Sequence, residues 1–293
     1  IWGDQIVIDW KEEAEKTYGF QVNTLRRGRG SWILETDQGL RLLKEYGGSV
    51  NRLEFEEAVL QSLDGMETLK ADQYVRNSEG ELLSTAEDGT RYIVKEWFAD
   101  RECDLKDERE VLSAVRALAL LHRQFRMIKR QETWNMRSMI SLPLFEAMRR
   151  HNRELKKIDR FIRKKTRKNE FETAYLSCFP KILEEAEWME RMLERSAYKK
   201  LRQRALEEGH FCHGEYTHHN ILVNGSRMAV INFEKCSVNV QINDLYHFMR
   251  KILEKQNYDF RLGIRMLRAY EEKNPLSPEE REYLGIRMEY PEK

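Results

Sequence analysis

From Gln21 to Lys44 the chain alternates apolar and polar residues, "QVNTLRRGRGSWILETDQGLRLLK", around Gly28, Gly30 and a "DQG" turn. A period of two sends successive side chains to opposite faces, so this stretch predicts a series of antiparallel hairpins. In "NRLEFEEAVLQSL" the period changes: Leu53, Val59, Leu60 and Leu63 fall at helical spacing among acidic residues, which predicts a helix packed on the hairpins. Short strands then return, with turns at "SEGE" and "EDGT", as far as Trp97. From Asp107 helices take over, beginning with "DEREVLSAVRALALLHRQF", where Val111, Val115, Leu118, His122 and Phe125 recur at three- and four-residue spacing. The later strand candidates are "NILVNG" and "RMAVINFE", joined by "NGS", and they predict a hairpin over 221–234 inside the helical part. The fold class expected is therefore α+β in two lobes. Residues 1–97 form a sheet with a helix, and residues 98–293 form a mainly helical lobe carrying a short hairpin.

Composition changes this picture little. A chain of 293 residues is long enough for two moderate cores. Lys and Arg number 51 against 50 Asp and Glu, so no overall field favours a nucleic acid or a membrane. Cys103, Cys178, Cys212 and Cys236 are scattered without CxxC pairing, which argues for reduced thiols rather than a disulfide framework. No run approaches the roughly 18 apolar residues of a membrane span, and "IWGDQIVIDW" lacks a basic region followed by an apolar core, so neither a membrane nor secretion is indicated.

Charge matters locally. Residues 149–168, "RRHNRELKKIDRFIRKKTRK", hold eleven Lys and Arg against Glu154 and Asp159, with Leu155, Ile158, Phe161 and Ile162 spaced as a buried helical stripe. Such a face is either solvated or a surface for an anionic ligand or partner. With a single aromatic residue it offers a nucleic acid no stacking platform.

The densest chemistry lies in "FCHGEYTHHNILV", residues 211–223, directly before the hairpin. The order of sheet, lysine, acidic helix, helical lobe, acid-bearing loop and hairpin is the order that phosphoryl transfer from ATP requires. Lys44 supplies a cation for the donor phosphates, and Glu56 on the next helix is the carboxylate expected to hold it. Glu215 stands where an acid orients the acceptor hydroxyl. Asn220, and Asn232 on the second hairpin strand, stand where oxygen ligands hold Mg2+.

These residues resemble the aminoglycoside and choline kinase-like phosphotransferases. "KEWFADRECDL", "HNRELKKIDRFIRKK" and "VINFEKCSVNVQINDL" are similar, within that group, to the CotS-type spore coat proteins. The resemblance runs over nearly the whole chain. It implies a two-lobed protein-kinase-like fold, ATP and Mg2+ as cofactors, and a hinge at Val94, Glu96 and Trp97 that holds adenine through backbone hydrogen bonds. It also implies synthesis in the mother-cell cytoplasm, a place in the spore coat, and other coat proteins as partners. Two positions depart from the kinase-like pattern. Glu215 replaces an Asp and is one methylene longer, and Asn232 replaces an Asp and carries no charge for the metal. Glu234, two residues on, would share a face with Asn232 on a continued strand and so is a substitute metal ligand.

The other polar residues read more plainly. His213 orients the loop, His122 is a core histidine and Asp244 braces the loop. Cys212, His213, His218 and His219 lack the partner motif of a zinc deaminase, and "RRGRGS" by itself marks only a turn. Two functional expectations compete: a coat protein whose phosphotransferase activity is weak or lost, and an active ATP- and Mg2+-dependent kinase of a small hydroxylated molecule. A module binding anionic partners through the basic helix is a third.

Overall fold

The computed structural model describes residues 8–66, 69–132, 134–225 and 227–292. Helix α1 (Trp10–Tyr18) starts where the Asp9 carboxylate accepts the Lys11 and Glu12 amides, and it stops at Gly19, whose φ of 72° is left-handed. The alternating stretch becomes β1 (Val22–Arg27), β2 (Trp32–Thr36) and β3 (Gly39–Glu45), each antiparallel to the next. Helix α2 (Val50–Gln61) follows, capped by Ser49, and then β4 (Leu69–Ala71), β5 (Tyr74–Val75), β6 (Ser84–Thr85) and β7 (Arg91–Glu96). The first sheet runs β1-β2-β3-β7-β5, with β6 also paired to β7. One of its faces is covered by α1, whose Trp10, Ala14 and Tyr18 pack with Leu34, Leu43, Tyr92 and Val94. The alternate residues, Ile33, Leu42 and Lys44, face a cleft.

The second part of the chain begins with β8 (Arg101–Glu102) and continues through α3 (Glu108–Phe125), α4 (Met136–Met139), α5 (Leu144–Lys164), α6 (Glu170–Arg195) and α7 (Tyr198–Glu208). After β9 (Phe211–Cys212) come the hairpin β10 (Ile221–Asn224) and β11 (Arg227–Val230), then β12 (Ser237–Val238), which pairs with β9. Helices α8 (Ile242–Lys255), α9 (Phe260–Glu271) and α10 (Pro278–Glu289) complete the lobe. Every position of the expected α3 stripe, Val111, Val115, Leu118, His122 and Phe125, is fully buried. The hairpin is the centre of a sheet ordered β4-β11-β10-β8, in which β4 lies parallel to β11. Through β4 and α2 the earlier segment enters the second core, where the Phe55 ring lies 5.1 Å from Trp134 and 5.3 Å from Phe211. Among the described residues, no helix is long and apolar enough to cross a membrane.

The basic segment is helical as expected as far as Lys164 and forms most of α5, but of its expected stripe Ile162 is buried, Leu155 half-buried and the other two exposed. Leu144, Met148, Asn152 and Ile162 are buried, whereas Ile158 is 46% and Phe161 66% exposed. The reason is that only the first half of α5 has several neighbours, the Leu144 amide donating to the Tyr198 hydroxyl at 2.7 Å and the Tyr290 hydroxyl to Asn152 Oδ1 at 2.8 Å, whereas the second half lies against α6, with Lys156 on Glu187. A helix with one neighbour has a narrow seam, and residues on its flanks stay wet.

Candidate active site

A cleft of 550 Å³ opens between the first sheet and the β10–β11 hairpin. Ile33, Leu42, Leu222, Ile231 and Trp97 make its apolar walls, and Arg26, Arg29, Lys44 and Lys235 bring cations to it. The arginines come from the "RRGRGS" turn, which closes with the Gly28 amide on the Ser31 carbonyl at 2.8 Å. That turn is thus one rim of the cleft, a role its glycines alone did not signal.

The loop ahead of the hairpin is held from below by Asp244. Its carboxylate accepts the His213 amide at 2.7 Å, the Gly214 amide at 3.0 Å and His122 Nε2 at 3.2 Å. Burial pushes the Asp244 carboxyl upward, but the His122 hydrogen bond and neighbouring imidazoles, with the Gly214 amide, outweigh it and hold it below the usual carboxylate range. His213 is fully buried, and burial lowers its pKa. Its Nε2 donates to the Ile231 carbonyl at 3.0 Å, which leaves Nδ1 to accept the Glu215 amide at 3.2 Å. Gly214 has φ 81°, and a Cβ there would lie 2.1 Å from the Lys235 carbonyl oxygen. Only glycine lets the loop and the following turn touch.

Glu215 and Asn220 both reach the cleft. Glu215 Oε1 accepts from Lys235 Nζ at 2.8 Å. Asn220, closing a single 3-10 turn (His218–Asn220), donates through Nδ2 to the Glu215 carbonyl at 2.9 Å. A carbonyl can only accept, so Asn220 is left with Oδ1 as its acceptor. Asn232 donates to it through Nδ2 at 2.7 Å. An amide N–H therefore sits on the oxygen that would ligate Mg2+.

The expected strand does not continue through Asn232. That residue is left-handed, with φ 65° and ψ 62°, a conformation asparagine tolerates, and a 3-10 turn (Phe233–Lys235) follows. Glu234 accordingly shares no strand face with Asn232. It projects across the cleft and accepts from Lys44 Nζ at 2.5 Å.

This also corrects the expected Lys44–Glu56 pair. Glu56, 1% exposed, takes Arg52 Nε at 2.7 Å and the Tyr74 hydroxyl at 2.5 Å. Arg52 lies one turn earlier on α2 and wins by proximity, and its other nitrogen ties α2 to the Glu234 and Cys236 carbonyls at 2.7 and 2.6 Å. Burial raises the Glu56 carboxyl above its ordinary value, with Tyr74 and Arg52 opposing.

The hinge is corrected in part. Trp97 lines the cleft, but Val94 is fully buried in the α1 core, and the Glu96 and Trp97 amides are taken by the Gln73 and Leu40 carbonyls at 2.8 and 3.1 Å. Those two amides are therefore unavailable to an adenine ring.

A buried ion pair behind the cleft was not anticipated. Lys95, on the same sheet face as Leu42, meets Asp72 Oδ2 at 2.8 Å, with side-chain exposures of 3% and 0%. The same oxygen accepts the Asn232 amide at 3.1 Å. The only sequence signal was a charged residue inside the apolar strand "YIVKEWF".

A model of the phosphotransferase enzyme family matches residues 28–283. Among solved structures, an aminoglycoside phosphotransferase from Alicyclobacillus acidocaldarius superposes with a TM-score of 0.83 at 17% identity, covering 99% of this chain and 85% of its own. A spectinomycin phosphotransferase in complex with AMP gives 0.68 at 12% identity, covering 95% and 84%. An amicoumacin kinase in complex with AMP-PNP, Ca2+ and Ami gives 0.62 at 15% identity, covering 99% and 84%.

Proposed function

Because this chain belongs to the phosphotransferase enzyme family, we propose that its cleft receives a nucleotide whose phosphates meet Lys44 and the rim arginines, without a divalent ion, and that phosphoryl transfer is weak or lost. The observation that carries this reading is the Asn232 Nδ2 to Asn220 Oδ1 hydrogen bond of 2.7 Å. Mg2+ demands oxygen ligands in near-ideal octahedral geometry. Here Asn220 Oδ1 is satisfied by an N–H and Glu234 is paired with Lys44. The donor set does not fit the ion. Lys235 holds Glu215, and a nucleotide would have to draw Lys44 from Glu234 to gain its charge. The apolar walls and cations suit a base and its phosphates, and structures with AMP or AMP-PNP in relatives of the same fold agree with that occupant.

Titration of a fluorescent ATP analogue with and without Mg2+ tests this. The unaltered protein is expected to bind equally in both. Asn232→Asp replaces the donor by an acceptor facing Asn220 Oδ1, an arrangement that calls for a cation between them, and its affinity should rise tenfold or more with Mg2+. ATP turnover by the unaltered protein that needs Mg2+ and disappears in Glu215→Gln would instead make it an active kinase of a small hydroxylated molecule.

We further propose that the protein acts in the spore coat, made in the mother cell and assembled with other coat proteins. The sequence resemblance supports this, as does the free basic face of α5. Arg150, Arg153, Lys157 and Lys164 are exposed, with no carboxylate partner among the described residues. An acidic coat partner would be steered to it. Immunoblots of coat extracts from purified spores should contain the protein, and its confinement to vegetative cytosol would remove this part of the reading.

A further inference from the structure

We propose that Glu102, His218 and His219 bind one divalent transition ion, Zn2+, Co2+ or Ni2+, at the rim of the cleft. This site is separate from the Asn220–Asn232 pair and does not depend on the nucleotide reading.

The fold assembles it from two distant segments. Glu102 on β8 stands opposite Leu222 of β10, and the two histidines occupy the 3-10 turn immediately before β10. One nitrogen of each ring and one carboxylate oxygen all lie within 4.8 Å of one another. His219 Nδ1 is 2.6 Å from Glu102 Oε2, and the two imidazoles lie side by side with centroids 3.8 Å apart. A small inward movement of these side chains brings the three atoms to one ion.

His218 is poorly satisfied without an ion. It is 9% exposed, and its buried Nδ1 has no hydrogen-bond partner among the described residues. Among the described residues its Nε2 meets the ammonium of Lys255 alone, at 3.4 Å, a long contact. A buried imidazole normally satisfies both nitrogens, and this one satisfies neither well. What approaches its ring is already a cation, on the flexible stem of an exposed lysine.

Two imidazoles and one carboxylate are the donor set of Zn2+ and its neighbours rather than of Mg2+ or Ca2+. Three protein ligands leave coordination positions open, and Glu102 and His219 line the cleft, so those positions face whatever anion enters it. The charges around the site are mixed. Arg29 lies 3.9 Å from Glu102, and Lys255 is beside His218. Both oppose a second positive charge, so relieving one of them should strengthen binding.

The test uses untagged protein carrying Cys178→Ser, which removes the exposed thiol as a competing ligand. Co2+ is titrated by visible absorption, and Zn2+ by equilibrium dialysis. One ion per chain is expected, with Mg2+ failing to compete. Glu102→Gln and His219→Ala should each weaken binding at least tenfold, while His151→Ala on α5 leaves it unchanged. Lys255→Ala should tighten it several-fold, a gain that misfolding could not produce. Binding that is equal in Glu102→Gln, His219→Ala and the parent, or indifferent to Lys255→Ala, would overturn the site.

Discussion

Asp244→Ala is expected to cost about 3–5 kcal/mol of folding stability, read from urea unfolding at neutral pH. The carboxylate is 1% exposed and satisfies the His213 and Gly214 amides and His122 Nε2. Removing it leaves buried donors with no acceptor. Asp244→Asn should also destabilise, because an amide offers one oxygen and turns an N–H towards a donor. The pH dependence has a definite sign. The folded carboxyl titrates below its ordinary value, so its contribution is fully present above the unfolded pKa of roughly 4 and disappears as pH falls through the lower folded value. The gap between parent and variant should therefore be flat at neutral pH and close in acid. A loss under 1 kcal/mol for Asp244→Ala would mean that the loop is held by its own packing.

Lys95→Met should be as damaging, again by about 3–5 kcal/mol, because it strands the Asp72 carboxylate at 0% exposure. Among the described residues Asp72 Oδ1 already lacks a partner, and Oδ2 would keep only the Asn232 amide. Asp72→Leu alone should be comparably costly, since it leaves a buried ammonium over the Tyr74 ring. The double variant Lys95→Met with Asp72→Leu should recover most of the loss, because no unpaired charge then remains. The double-mutant cycle measures this coupling, and single losses that simply add would show that the two charges are solvated independently.

Most elements and their order were legible in the residue pattern, although the single helix expected in residues 1–97 is joined by α1, and β4, β9 and β12 were too short to carry a period. Alternation around Lys44 had to become strands, since only a period of two buries Leu34 and Leu43 against α1 while Leu42 and Lys44 face the cleft. The spacing of Val111, Val115, Leu118 and Phe125 had to become a buried helix, and "HGE" followed by Asn and a hairpin placed Glu215 and Asn220 together at the cleft. Which charge meets which depends on how the elements pack. Periodicity reports the face a side chain leaves from, but a long side chain pairs with whatever the rigid placement of two elements brings within a few ångströms. Lys44 therefore meets Glu234 across the cleft, while Glu56 goes to Arg52 on its own helix. Asp72 and Lys95 find each other through strand placement. The left-handed backbone at Asn232 turned an expected strand into a turn and aimed an amide N–H at Asn220. Likewise Ile158 and Phe161 carry the right spacing for burial yet stay exposed, because they fall on the outer flank of the second half of α5, away from the contacts that Tyr198 and Tyr290 make with its first half. Local patterns are set by covalent geometry and apolar spacing within one element. Pairings depend on distances between elements, which the packing of the whole core sets.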